Sequence, residues 1–191
     1  MNTNLDKLSP EELGELFPIE VVPYREEWLA FFEDEKQLLI NVLRGIGMLN
    51  IEHIGSTSVA GLAAKPIIDL LVEVKKLDEE IKALIISKMQ EAGYGNMSNS
   101  EKEKSMEFGK GYAPSGFCGQ TYHAHFREKN ADFQDEIYFR NYLRRNDNAR
   151  DAYAKLKFSL AEKHKQNREA YTQAKTQFIK EMTELAKMPE S

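Results

Sequence analysis

His53-Ile54-Gly55-Ser56-Thr57-Ser58-Val59, followed by Lys65-Pro66-Ile67-Ile68-Asp69, is the stretch on which the fold turns. It predicts a strand, a Gly-Ser turn, a short helix and a second, buried strand carrying one carboxylate. Backbone N–H groups at a helix start have no partner inside the helix. A Gly-Ser turn there offers them, with a hydroxyl, to a phosphate. Gly55 permits close backbone approach and Ser56 supplies the hydroxyl, whose plain alternative role is a helix cap. Asp69 is placed to hold a divalent cation against that phosphate. Lys65, just before Pro66, reaches towards the phosphate or the Asp69 carboxylate; the bland alternative is a surface lysine.

Outward from this stretch, Ser9-Pro10-Glu11-Glu12 has the cap, first-turn proline and returning glutamate of a helix start. Apolar residues at helical spacing from Tyr24 to Arg44 predict a second helix, stopped by Gly45 and Gly47. Leu49 to Ile54 is the first strand, and the almost continuously apolar run Ile67 to Val74 reads as a central strand buried on both faces. Asp78 caps a helix with Ile81, Leu84, Ile85 and Met89 on one face. Ser105 to Tyr112 is a hairpin strand, and Gln120 to Arg127 the next, with Tyr122, Ala124 and Phe126 opposite His123 and His125. Three helices follow, over 133–145, 148–165 and 168–187.

Residues 53–69 fill every constrained position of H-[IV]-G-S-T-[AS]-V-x-G-L-x-A-K-P-x-[IV]-D, and the sequence resembles the GrpB-like family of the nucleotidyltransferase superfamily. Tyr24 to Trp28 is similar to that family's Y-x-x-x-W, Phe139 to Arg144 to its F-R-[DN]-Y-L-R, and Tyr153 to Lys157 to its Y-x-x-L-K. The resemblance implies an α/β (α+β) fold: a nucleotidyltransferase-like small mixed sheet with flanking helices, then a C-terminal helical bundle. Residues 1–130 would form the core with its N-terminal helices and 131–191 the bundle, with a cleft between. It implies binding of a nucleoside triphosphate or related phosphorylated ligand at the Gly-Ser turn, with transfer of a nucleotidyl group to an unknown acceptor. The alternative is a non-catalytic nucleotide or phosphometabolite binding module with a decayed metal site; a weaker one is an interaction scaffold built on the bundle.

Nucleotidyl transfer uses two divalent ions, held by Asp-x-Asp on one strand and a third carboxylate on a neighbour. Here the run is Asp69-Leu70-Leu71-Val72-Glu73, so leucine stands where the second acid belongs. Asp69 and Glu73 are the catalytic candidates, although Glu73 lies roughly 6.6 Å too far along the strand. On the strand expected to carry the third acid stand His123 and His125. One reading joins Asp69, His123 and His125 into a single divalent site, for magnesium, manganese or zinc, with imidazoles favouring the last two. A second keeps a metal-free ligand pocket, and the plain one leaves two ordinary strand histidines. His53 either faces this cleft or is a hydrogen-bonded core histidine.

Arg140 and Arg144 are four apart and share a helix face, as do Tyr153 with Lys157 and Tyr171 with Lys175. Arginine forks suit bidentate phosphate binding, so Arg140, Arg144 and Lys157 are the candidate clamp facing Gly55, Ser56 and Lys65. Surface ion pairs and bundle-core tyrosines are the alternative.

The chain has 191 residues, net charge −5 and one cysteine, Cys118. That balance speaks against bulk nucleic-acid binding. A single cysteine allows no intrachain disulfide and fits a reducing compartment. The opening Met-Asn-Thr-Asn-Leu-Asp has no basic stretch before an apolar run, and no apolar run approaches the ~20 residues of a membrane helix. The expectation is a cytoplasmic protein whose partner is a nucleotide or phosphorylated small molecule.

Overall fold

A computed structural model describes residues 8–97, 105–129 and 134–188. The N-terminal helix α1 (Pro10–Leu16) opens with the expected capping box: Ser9 Oγ accepts from the Glu12 N–H, and Glu12 accepts from the Ser9 N–H. Helix α2 (Glu27–Val42) buries Trp28, Phe32, Glu35 and Leu39. It starts three residues later than the apolar spacing predicts, and Leu38 turns outward because the buried stripe runs through 28, 32, 35 and 39.

Five strands form one mixed sheet: β1 (Met48–Ile54), β2 (Ile67–Val74), β3 (Gly95–Asn96), β4 (Ser105–Ala113) and β5 (Gly116–Glu128), in the order β1-β2-β5-β4-β3. Among the described strands only β2 and β5 run parallel. The interior place of β2, between β1 and β5, accounts for its apolar composition, since side chains pack on both its faces. On one face Ile68, Leu70, Val72, Ala124 and Phe126 pack against Trp28, Phe32 and Leu39 of α2 and against Ile85 and Met89 of α3 (Glu79–Glu91). Leu84, grouped with these by spacing, is 39% exposed.

The opposite face carries Asp69, Leu71, His123 and His125, because β2 and β5 pair Asp69 with His123 and Leu71 with His125. It is covered in part by α4 (Gln134–Arg145), α5 (Asp147–Lys163) and α6 (Arg168–Lys187). Asn146 and Asn167 cap α5 and α6 through the N–H groups of Ala149 and Ala170, both at 2.9 Å. Val59 and Leu62, just beyond the Gly-Ser turn, pack with Leu143, Ala149 and Tyr153. Ile54 and Leu71 pack with Ile137 of α4. Position 71 is thus a packing position. Burying a leucine there contributes about 1.5–3 kcal/mol, and a carboxylate would give up its contacts with Ile54 and Ile137.

Candidate functional site

The first strand ends at Ile54, and Gly55 turns the chain with φ 69°. A Cβ at this position would lie 2.2 Å from Asp69 Oδ2, so glycine is required by space as well as by conformation. The helix expected next is a single 3₁₀ turn, Ser56–Ser58. So short a turn carries little dipole, and the turn acts mainly as a backbone edge beside Asp69. Thr57 is buried and donates to the Ile67 carbonyl at 3.0 Å; its oxygen therefore accepts from His53 Nε2, 3.1 Å away. His53 also stacks on Phe32 with ring centroids 4.5 Å apart. It belongs to the core face, and the cleft-facing alternative is discarded: β1 pairs it with Leu70, which points away from Asp69.

Asp69 Oδ1 lies 3.4 Å from His123 Nδ1 and 3.3 Å from His125 Nε2. One ligand atom from each residue can be chosen so that all three lie within 4.8 Å of one another. The outer nitrogens are also engaged. His123 Nε2 is 2.6 Å from the Tyr112 hydroxyl, and His125 Nδ1 bonds Glu107, which in turn accepts from Arg127 at 2.5 Å. Burial opposes charge on His125, but its bonds to Asp69 and Glu107 prevail and push its pKa up to about 10. Burial likewise disfavours charge on Asp69, yet hydrogen bonds from the two histidines hold it well below the usual carboxylate range.

Facing this cluster is a wall of three lysines from three elements: Lys65 before β2, Lys157 on α5 and Lys175 on α6. Lys157 and Lys175 each sit 4.6 Å from the ring centre of the tyrosine four residues earlier, Tyr153 and Tyr171; Lys65 is 5.5 Å from Tyr171. Lys157 also donates to the Ala63 carbonyl. Among the described residues, none of the three has a carboxylate within 4.0 Å. Burial pushes Lys65 and Lys157 down to about 7, with neighbouring cations adding to the shift, and burial lowers Lys175 too. Lysines, Asp69, both histidines, Gly55 and Ser56 line one cavity of about 560 Å³.

Arg140 lines the same cavity, but its guanidinium is held by Glu52 at 2.7 Å, the His53 carbonyl at 2.9 Å and Asn141 at 3.0 Å. Arg144 does not line it; its Nε and Nη2 donate to the Ser58 carbonyl and brace the Gly-Ser turn from outside. Glu73 does not line it either, since it stands four residues beyond Asp69 on β2, in register with Arg127. Sequence reasoning passed over Glu107, Tyr112 and, as a site residue, Lys175. The repeated Tyr-x-x-x-Lys spacing was a signal for the last. Glu107 and Tyr112 depend on how β4 registers against β5, which no local pattern carries.

The GrpB protein family model matches residues 18–185. The UPF0157 protein YqkA of Bacillus subtilis is 35% identical over 88% of this chain, which spans 47% of that protein's length. Glutamate-rich protein GrpB of Alkalihalophilus pseudofirmus is 34% identical, with 85% of this chain and 92% of that protein covered. The crystal structure of the conserved protein GrpB from Enterococcus faecalis superposes with a TM-score of 0.77 at 34% identity, covering 87% of this chain and 96% of that one. With the family model and a near full-length relative in agreement, the chain belongs to the GrpB family.

Proposed function

We propose that this protein binds a nucleoside triphosphate or a related phosphorylated small molecule between its lysine wall and a divalent cation on Asp69, His123 and His125. The observation that carries this reading is the three enclosed ammonium groups of Lys65, Lys157 and Lys175, which face one cavity with no carboxylate partner among the described residues. Enclosed like charges are costly unless an anion joins them, and a polyphosphate is such an anion. Gly55 and Ser56 supply a backbone edge and a hydroxyl beside it.

The donor set suits a cation. One carboxylate and two imidazoles fit manganese, iron or zinc better than magnesium, and outer bonds to Tyr112 and Glu107 orient the rings as metal-bound histidines usually are. Three protein ligands leave coordination positions for phosphate oxygens. When bound, the cation would neutralise phosphate charge and polarise the phosphoryl group. The chain's own residues then do the rest: lysines screen the phosphates, the Tyr153 and Tyr171 rings steady the ammonium groups, and the helices limit water.

Nucleotidyl transfer to an acceptor is the second reading, favoured by the metal ligands and the lysine wall facing one cavity. Leu71, packed with Ile54 and Ile137, removes the second acid of a two-ion centre, so weak or absent turnover is expected in a labelled-triphosphate assay. The binding reading is tested by a thermal-shift screen of nucleotides with magnesium, manganese or zinc. A triphosphate with manganese or zinc should raise Tm more than either component alone. No shift with any phosphorylated compound would overturn it.

A further inference from the structure

A second cavity, of about 400 Å³, adjoins the first, and Lys65 and Ile67 line both. Its apolar wall includes Ile19, Phe31 and Phe117, while Arg168, at the start of α6, brings a second cation to the side where Lys65 stands. The Arg168 guanidinium lies 3.4 Å from the Phe17 carbonyl and bonds Tyr112, with that ring's centre 6.0 Å away; these partners are neutral groups. Neither Lys65 nor Arg168 has a carboxylate within 4.0 Å among the described residues. Of the acids on this wall, Glu27 is paired with Arg25 at 3.5 Å and Glu20 is exposed. After burial, repulsion from Arg168 is the next cause of the lowered Lys65 pKa, followed by Lys175, while the Asp69 carboxylate pulls the other way. Like charges brought together at the seam of two cavities call for an anion.

We propose that the second cavity is an anion subsite, where Lys65 and Arg168 hold a phosphate or carboxylate whose apolar body lies along Phe31 and Phe117. This rests on the first cavity being the phosphate site. Two sources share that chemistry: the far end of one long ligand running past Lys65, or a separate acidic molecule that meets the phosphorylated one there. The shared lysine supports either, since it touches both occupants.

Calorimetric titration of the full chain with manganese present separates the cases. The probes are ATP, diadenosine tetraphosphate, and benzoate added to ATP-saturated protein, each with wild type, Arg168→Gln and Lys175→Gln. Lys175→Gln should weaken ATP about tenfold, and Arg168→Gln should leave ATP within about threefold. Arg168→Gln should then weaken diadenosine tetraphosphate about tenfold if one molecule spans the cavities, or benzoate about tenfold if two molecules meet. The proposal is overturned if Arg168→Gln changes neither probe, or if wild type binds ATP but no benzoate and diadenosine tetraphosphate no tighter than ATP. Wild type that binds no ATP removes the phosphate reading of the first cavity itself, and this subsite with it. Arg168 is half-buried beside Phe17 and Tyr112, and an unchanged Tm for its variant establishes that folding is intact.

Discussion

His53 and His125 stand on β1 and β5, with only β2 between them, and both are largely enclosed, yet their charges are set in opposite directions. His53 lies flat on Phe32 with one neutral hydrogen-bond partner, and burial pushes its pKa down to about 4. His125 lies between the carboxylates of Asp69 and Glu107 and is pushed up to about 10. Burial alone therefore does not decide what a histidine does here; the face of the sheet does. The α2 side is finished by its own packing. The cleft side concentrates charged groups, and among the described residues Lys65, Lys157 and Lys175 have no carboxylate within 4.0 Å.

The sharpest way to break this contrast is pH. The folded-state pKa of His53 lies below its unfolded value of 6.5, so the unfolded chain binds the extra proton. The stability from its neutral form is complete above pH 6.5 and is lost as pH falls towards about 4. The loss approaches roughly 3 kcal/mol, from about 1.4 kcal/mol per pKa unit. Urea unfolding of wild type and His53→Gln across that window should show the wild type losing stability relative to the variant. In chelator-treated protein His125 has the reverse sign: its contribution is complete below pH 6.5 and is lost as pH rises through about 10. Parallel profiles for wild type and His53→Gln would mean that the core-face histidine is not held neutral.

A smaller effect is expected on the cleft side from Gly55→Ala. Its backbone, φ 69° and ψ −176°, lies where almost only glycine is found, at a cost of about 1–3 kcal/mol to another residue, and the new Cβ would push on Asp69 Oδ2. Denaturant midpoint and manganese or zinc affinity should fall together; a loss of stability with unchanged metal affinity would separate the turn from the cluster. The smallest effect belongs to Glu73→Gln, which should change ligand and metal affinity less than about twofold, an energy below about 0.5 kcal/mol. A larger loss would return Glu73 to the site.

Much of this was legible in the sequence, and the limits have physical causes. Strand alternation put His123 and His125 on one face of β5, and the Gly-Ser stretch put Asp69 on the neighbouring strand. Whether His53 shared their face was not legible, because pairing register between β1 and β2 decides it and a shift of one residue reverses every side chain. Arg140 and Arg144 have the spacing of a clamp, but spacing does not show that Glu52 and the carbonyls of His53 and Ser58 already occupy their guanidinium groups. Leu71 appeared as a missing acid; the structure adds that Ile54 and Ile137 pack against it.

The central claim is that cation and phosphorylated ligand share one cavity and bind together. Calorimetric titration of a nucleoside triphosphate into wild type and Asp69→Asn, with and without manganese, tests it most directly. In wild type the triphosphate should bind at least about tenfold tighter with manganese, and manganese should gain by the same factor with triphosphate, because coupling between two ligands is reciprocal. Asp69→Asn should abolish that coupling while weak, lysine-dependent triphosphate binding remains. Equal triphosphate affinity with and without manganese in wild type, or coupling that survives in Asp69→Asn, would contradict the claim.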